Sequence, residues 1–177
     1  MKNIDKILLF LMFTAIMATG IRMYNDEYPN QSIGELVISQ QNSIYPEATG
    51  YVVDTTRELN PETVYNLNKR LENFDGTAQI AVAVINTTYP LSIEEYGIKL
   101  SEKWKVGYSG KDNGAIIILA IEDRNVRIEI GKGLEGILPD SVVGRILDEE
   151  MVPSLKNNDW DTAIIKGVTA LQAKLSK

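Results

Sequence analysis

Seven consecutive apolar residues, Ala115-Ile116-Ile117-Ile118-Leu119-Ala120-Ile121, constrain this chain more than any other stretch. Side chains of a strand alternate between its two faces, so a run with no polar partner must be covered on both sides. That reads as a central strand inside a layered α/β fold. After the turn Asp123-Arg124-Asn125, Val126, Ile128 and Ile130 alternate with Arg127 and Glu129. This is the pattern of an antiparallel partner with one polar face.

The preceding segments supply the remaining layers. Gly50 to Asp54 reads as a short strand ending in an acid, and Gln79 to Ile85 as a buried strand. Asn60-Pro61 starts a helix, with Val64, Leu67, Leu71 and Phe74 on one face. Ser92-Ile93-Glu94-Glu95 has the spacing of a capping box, and its helix runs on through Tyr96, Leu100 and Trp104. Two more helices close the chain. Asp140 is expected to cap the first, with Val142, Val143, Ile146 and Leu147 inward and Pro153 ending it. The second starts near Trp160, with Ile164, Val168, Leu171 and Leu175 inward. The order β-α-β-α-β-β-α-α predicts a three-layer α/β/α sandwich with a mixed, mostly parallel sheet of about four strands.

The N-terminus has a different character. Lys2 and Lys6 precede an uncharged run that reaches Ile21 and ends at Arg22, with small residues at Ala18 and Gly20. This is the layout of an export leader, and the run is short for a membrane span. The expected organisation is therefore a signal peptide or N-terminal membrane anchor at 1–21, a linker or extended arm at 22–49, and a domain at 50–177. Export places the protein outside the cytoplasm: secreted, periplasmic or tethered through residues 7–21.

Composition excludes whole classes of chemistry. The chain has no cysteine and no histidine. Disulfides, thiolate nucleophiles, imidazole bases, a Ser-His-Asp triad and a cysteine-borne lipid anchor are all ruled out within it. Acid–base work would fall to Asp, Glu, Lys or Tyr. A metal site would use oxygen ligands, which suit Ca²⁺ or Mg²⁺. A net charge of -6 argues against a nucleic-acid surface.

Gly131, Gly133 and Gly136 have the spacing G-x-G-x-x-G. A dinucleotide fingerprint requires a helix to open inside the motif, after the first strand of a β-α-β unit. Here Ile137-Leu138-Pro139 intervenes, and the motif follows the last strand. The glycines are instead expected to serve a tight loop with positive φ.

In order along the chain, several segments resemble the TPM domain family over about residues 50 to 175. They are Val52-Val53-Asp54 with Leu59-Asn60; Gln79-Ile80-Ala81-Val82; Ile93-Glu94-Glu95-Tyr96 with Trp104-Lys105-Val106-Gly107; Gly110-Lys111-Asp112-Asn113-Gly114; Asp123-Arg124-Asn125-Val126-Arg127-Ile128-Glu129; Gly131 to Gly136; and Pro139-Asp140. The resemblance implies the same sandwich and an exported or membrane-tethered protein. It implies an acid phosphatase with a calcium-associated acidic site, or a non-enzymatic assembly or accessory factor. Many relatives have a C-terminal membrane span and a glycine-rich tail. These 177 residues show neither, which leaves the N-terminal segment as the expected tether.

Two functional expectations follow. The first is a divalent-cation-dependent phosphatase acting on a phosphorylated small molecule. Asp54 and Asp112 would be catalytic, with Asp54, Asp112 and Asn113 as Ca²⁺ or Mg²⁺ ligands, and Arg124 and Arg127 would hold phosphate. Each of these residues has a plainer reading: Asp54 as a loop residue bonding backbone, Asp112-Asn113-Gly114 as a turn, Asp123-Arg124-Asn125 as a hairpin turn. A seven-residue strand spans roughly 20 Å, so Asp112 and Asp123 cannot share one ion. Asp112 should lie near Gly131 to Glu135, where the antiparallel strand returns; the end joined by Asp54 depends on strand direction. The second expectation is an interaction module binding a protein partner through Arg127 and Glu129, or through Tyr108 or Trp160 if exposed.

Overall fold

The computed structural model describes residues 44–176, and the expectations for residues 1–43 lie outside them. The folded unit begins at Tyr45 rather than at residue 50. Tyr45 is buried, with its ring 4.9 Å from that of Tyr96. Lys103 pairs with Glu47 at 2.8 Å, and the Trp104 indole donates to the Pro46 carbonyl. Residues 45–47, expected as the end of a linker, are therefore docked.

The sheet has four strands in the order β1 (Val52–Asp54), β2 (Gln79–Ile85), β3 (Gly114–Ala120), β4 (Asn125–Ile130). β1, β2 and β3 are parallel, and β4 returns antiparallel. All seven residues of β3 are buried, six of them from the apolar run, while the run's last residue, Ile121, lies past the strand and is half-buried. Even-numbered residues of β2 and odd-numbered residues of β3 face α1 (Pro61–Glu72) and α5 (Trp160–Leu175). On that side Leu67, Leu71, Ile164, Val168, Leu171 and Leu175 fill the core. The opposite face is covered by α2 (Ile93–Trp104), through buried Ile93, Tyr96 and Leu100. Gly97 lets α2 approach closely: a Cβ there would come within 2.9 Å of Ile118. This is the expected layered α/β architecture, a mixed sheet between helices.

The start signals act as read. Asn60 accepts from the Glu62 amide with Pro61 at the first helical position, and Ser92 and Glu95 form a complete capping box. The region after β4 differs. Asp140 is the first residue of α3 (Asp140–Arg145), preceded by Pro139, and makes no capping bond. Pro153 does not end the helix. α3 runs into a π turn, Ile146–Met151, and then α4 (Val152–Leu155), which contains Pro153. Proline lacks the N–H used by the α-helical ladder, and the π turn has already shifted that ladder by one residue just before it.

Gly131 and Gly133 do not serve the expected positive-φ turn, since neither has a positive φ. Gly131 has φ −71°. A Cβ on Gly131 would sit 2.2 Å from the Asp112 carbonyl oxygen, and one on Gly133 the same distance from that of Lys111. Glycine is required because two backbones touch, while Gly136 faces open space.

Candidate functional site

The parallel pairing settles the direction of β1. Asp54 pairs in register with Val84, which pairs with Leu119, at the C-terminal end of β3. Asp112 precedes Gly114, at the N-terminal end. About five residues of strand, roughly 16 Å, lie between the two levels. Asp54 and Asp112 therefore cannot ligate one ion, which corrects the expected pairing.

Each carboxylate has a local task. Asp54 Oδ1 accepts from the Thr56 amide at 2.8 Å, the Thr56 hydroxyl at 2.6 Å and the Arg57 amide at 3.0 Å. Its Oδ2 accepts from the Leu59 amide at 3.0 Å. The residue organises the loop into α1, where Arg57 takes φ 66°. Asn113 is buried: its Oδ1 accepts from the Tyr108 amide at 2.8 Å and its Nδ2 donates to the Thr77 carbonyl. Through these two bonds it brackets two loops. Asp112 lies beside the 131–135 turn, as the antiparallel return requires. Its carbonyl accepts from the Gly133 amide at 2.8 Å, and its Oδ2 from the Lys132 amide at 3.1 Å.

The two arginines are also apart. Arg124 sits at φ 50° in the β3–β4 hairpin, at the end opposite Asp112, with one long contact to Asn158. Arg127 lies mid-strand on the α2 face, held by Glu129 at 2.7 Å and Glu94 at 3.7 Å. Those carboxylates already oppose its charge. Asp123 is a hairpin staple. It accepts from the Thr87 hydroxyl and from the amide and hydroxyl of Thr88, and its pKa is lowered, chiefly by the Thr88 amide. The expected Ca²⁺ or Mg²⁺ ligands thus do not form a common site, and the described residues contain no group of three or more Asp or Glu that could hold a metal.

The tertiary structure forms a different concavity, at the N-terminal end of β3. A trough of about 770 Å³ runs between the last turns of α2, the loop 107–112 and the turn 131–135. Ile98 and Tyr108 on its wall are 47% and 46% exposed, and Lys105, Asp112, Lys132 and Glu135 bring mixed charge. Gly107, at φ 117°, starts the loop and donates its amide to Gln79 Oε1. An adjoining groove of about 820 Å³ follows β4 and shares Glu129, Ile130 and Glu135 with the trough. Ile98 and Glu102 went unnoticed in the sequence, because a helix's polar face looks the same whether solvent or a cleft lies beyond it. Trp160 is partly buried against the core, and Tyr108 is the exposed aromatic of the pair.

A four-stranded mixed sheet sandwiched by helices, with its loops gathered around a trough, defines an α/β domain. The TPM domain family model matches residues 52–174, most of the chain, and this protein belongs to that family. The fold is similar to the solution structure of the N-terminal domain of a Porphyromonas gingivalis protein. Identity is 29% and the TM-score 0.64, over 72% of this chain and 82% of that one. It is also similar to the N-terminal domain of a Corynebacterium glutamicum protein (17% identity, TM-score 0.57, 74% of this chain and 84% of that one). A third similar structure is the BA42 protein of the psychrophilic bacterium Bizionia argentinensis (15% identity, TM-score 0.59, 69% of this chain and 84% of that one). No curated protein matches the chain.

Proposed function

We propose that this TPM domain is an exported binding module, tethered or released through residues 1–21, whose working surface is the trough beside β3 and β4. The observation that carries this reading is the trough wall. Two exposed apolar side chains, Ile98 and Tyr108, flank a concavity of about 770 Å³ whose charges are mixed rather than concentrated. An aromatic anchor among adaptable polar groups suits recognition of a protein segment. Export rests on the leader pattern of residues 1–22.

A random peptide library displayed on phage, selected on the full-length chain in mild detergent, tests the surface. Selected peptides should lose at least tenfold in affinity for Tyr108→Ser and for Ile98→Asp. Peptides indifferent to both changes refute the trough. The phosphatase reading is tested beside it, by hydrolysis of p-nitrophenyl phosphate with and without Ca²⁺ or Mg²⁺. Turnover abolished in Asp112→Ala would replace the binding module with an enzyme.

A further inference from the structure

Among the described residues β4 is the outermost strand, and no strand pairs with its other side. The Gly131 amide bonds the Gly114 carbonyl at 2.8 Å, which sets the antiparallel alternation. Asn125, Arg127 and Glu129 therefore turn their N–H and C=O groups toward β3. Val126, Ile128 and Ile130 turn theirs outward. Among the described residues no hydrogen bond reaches those outward groups. Natural edges are blunted by proline, bulges, charged side chains or covering elements, and of these β4 carries the charges of Arg127 and Glu129. The sequence Asn125-Val126-Arg127-Ile128-Glu129-Ile130 has no proline or glycine, and its register with β3 is unbroken.

The space beside this edge is a groove of about 820 Å³ lined by all six residues of β4. The start of α2, at Ile93 and Glu94, lines it, as does the segment from Pro139 to Leu147. Six strand residues span roughly 20 Å, room for an extended segment of similar length. The groove's charge is one-sided: carboxylates from Glu94, Glu129, Glu135 and Asp140 face a single cation, Arg127, which is already bonded to Glu129 and near Glu94.

We propose that the free edge of β4 takes up an extended, lysine- or arginine-rich segment of a partner protein as a fifth strand. Main-chain bonds to Val126, Ile128 and Ile130 would hold it, and its alternating basic side chains would meet the carboxylates lining the groove. This deepens the binding-module reading and rests on it: it names the class of partner.

The probe is a fluorescein-labelled peptide, acetyl-Lys-Val-Lys-Thr-Lys-Val-Lys-amide, titrated by anisotropy into the full-length chain in mild detergent. Binding should weaken at least tenfold when alternate peptide amides are methylated, when the lysines become glutamates, and in Val126→Pro. That substitution removes an outward N–H and no bond to β3. The methylated peptide leaves the protein untouched, so its loss of binding cannot come from misfolding. Equal binding of parent and methylated peptides overturns strand addition, and equal binding of lysine and glutamate peptides overturns the charge basis. Binding that appears only after removal of residues 1–43 would make the chain's own arm the occupant. Self-association that competes with the peptide would do the same for a second copy. Either result overturns a separate partner. If this probe fails while library peptides still bind through Tyr108, only the fifth strand falls. If both fail, the binding module falls with it.

Discussion

Replacing Asn113 with aspartate exchanges an NH₂ group for an oxygen and separates the two roles open to this residue. In the structure Nδ2 donates to the Thr77 carbonyl while Oδ1 accepts from the Tyr108 amide, and the side chain is buried. The introduced carboxylate keeps the second bond and loses the first, a net cost of about 1 kcal/mol. It also leaves the Thr77 carbonyl without its donor and facing a negative oxygen, which costs about 1–3 kcal/mol more. The total, about 2–4 kcal/mol at neutral pH, corresponds to a fall in Tm of about 10 °C for a domain of this size. The sign with pH is fixed. Burial and the facing carbonyl favour the protonated form, so the new carboxyl's folded pKa lies above its unfolded value of about 3.9. Below that value it is protonated and can donate to Thr77, and the deficit is small. The deficit grows as pH rises through the folded pKa. Urea unfolding followed by tryptophan fluorescence, on both proteins at each pH from acid to neutral, reads this directly. Calcium titration supplies the other arm. A variant as stable as its parent at pH 7, or one that gains calcium affinity, would refute the bracket and restore Asn113 as a ligand position.

Asp54→Ala should cost about 1–3 kcal/mol, because four bonds into the 56–59 loop disappear; calorimetry should show divalent-cation binding unchanged from the parent. Asp123 has a lowered folded pKa, so the stability it contributes is present above its unfolded value of about 3.9 and is lost as pH falls through the folded one. Asp123→Asn should remove that acid-side dependence from the urea midpoint, with an effect of at most about 1 kcal/mol because the exposed carboxylate is screened by water. Ser92→Ala breaks the capping box of α2 and should destabilise by about 1 kcal/mol, measured by thermal unfolding.

Much of the fold was legible because burial imposes a period. The run from Ala115 to Ala120 is a fully buried strand, and Ile164, Val168, Leu171 and Leu175 all face the core. Short-range signals also held where one residue's side chain meets an amide two or three positions on, as at Asn60 and Ser92. Even the neighbourhood of Asp112 and the 131–135 turn could be read, since an antiparallel return fixes which ends meet. Asp140 misled because the cap position falls one residue earlier, on Pro139, and Pro153 because breaking rules assume a regular ladder while this helix contains a π turn.

The sequence by itself determined the layers, the buried strands, the helix starts at Asn60 and Ser92 and the chemistry denied by the absence of cysteine and histidine. Those depend on local bonding and on the period of apolar residues. Tertiary structure alone decided that β1 runs parallel, which sends Asp54 and Asp112 to opposite ends of the sheet. It also decided that Arg127 is opposed by Glu94 and Glu129, and that Ile98, Tyr108 and Glu135 share one trough. Strand direction and the meeting of distant loops depend on how elements stack, and no residue's own pattern carries that information.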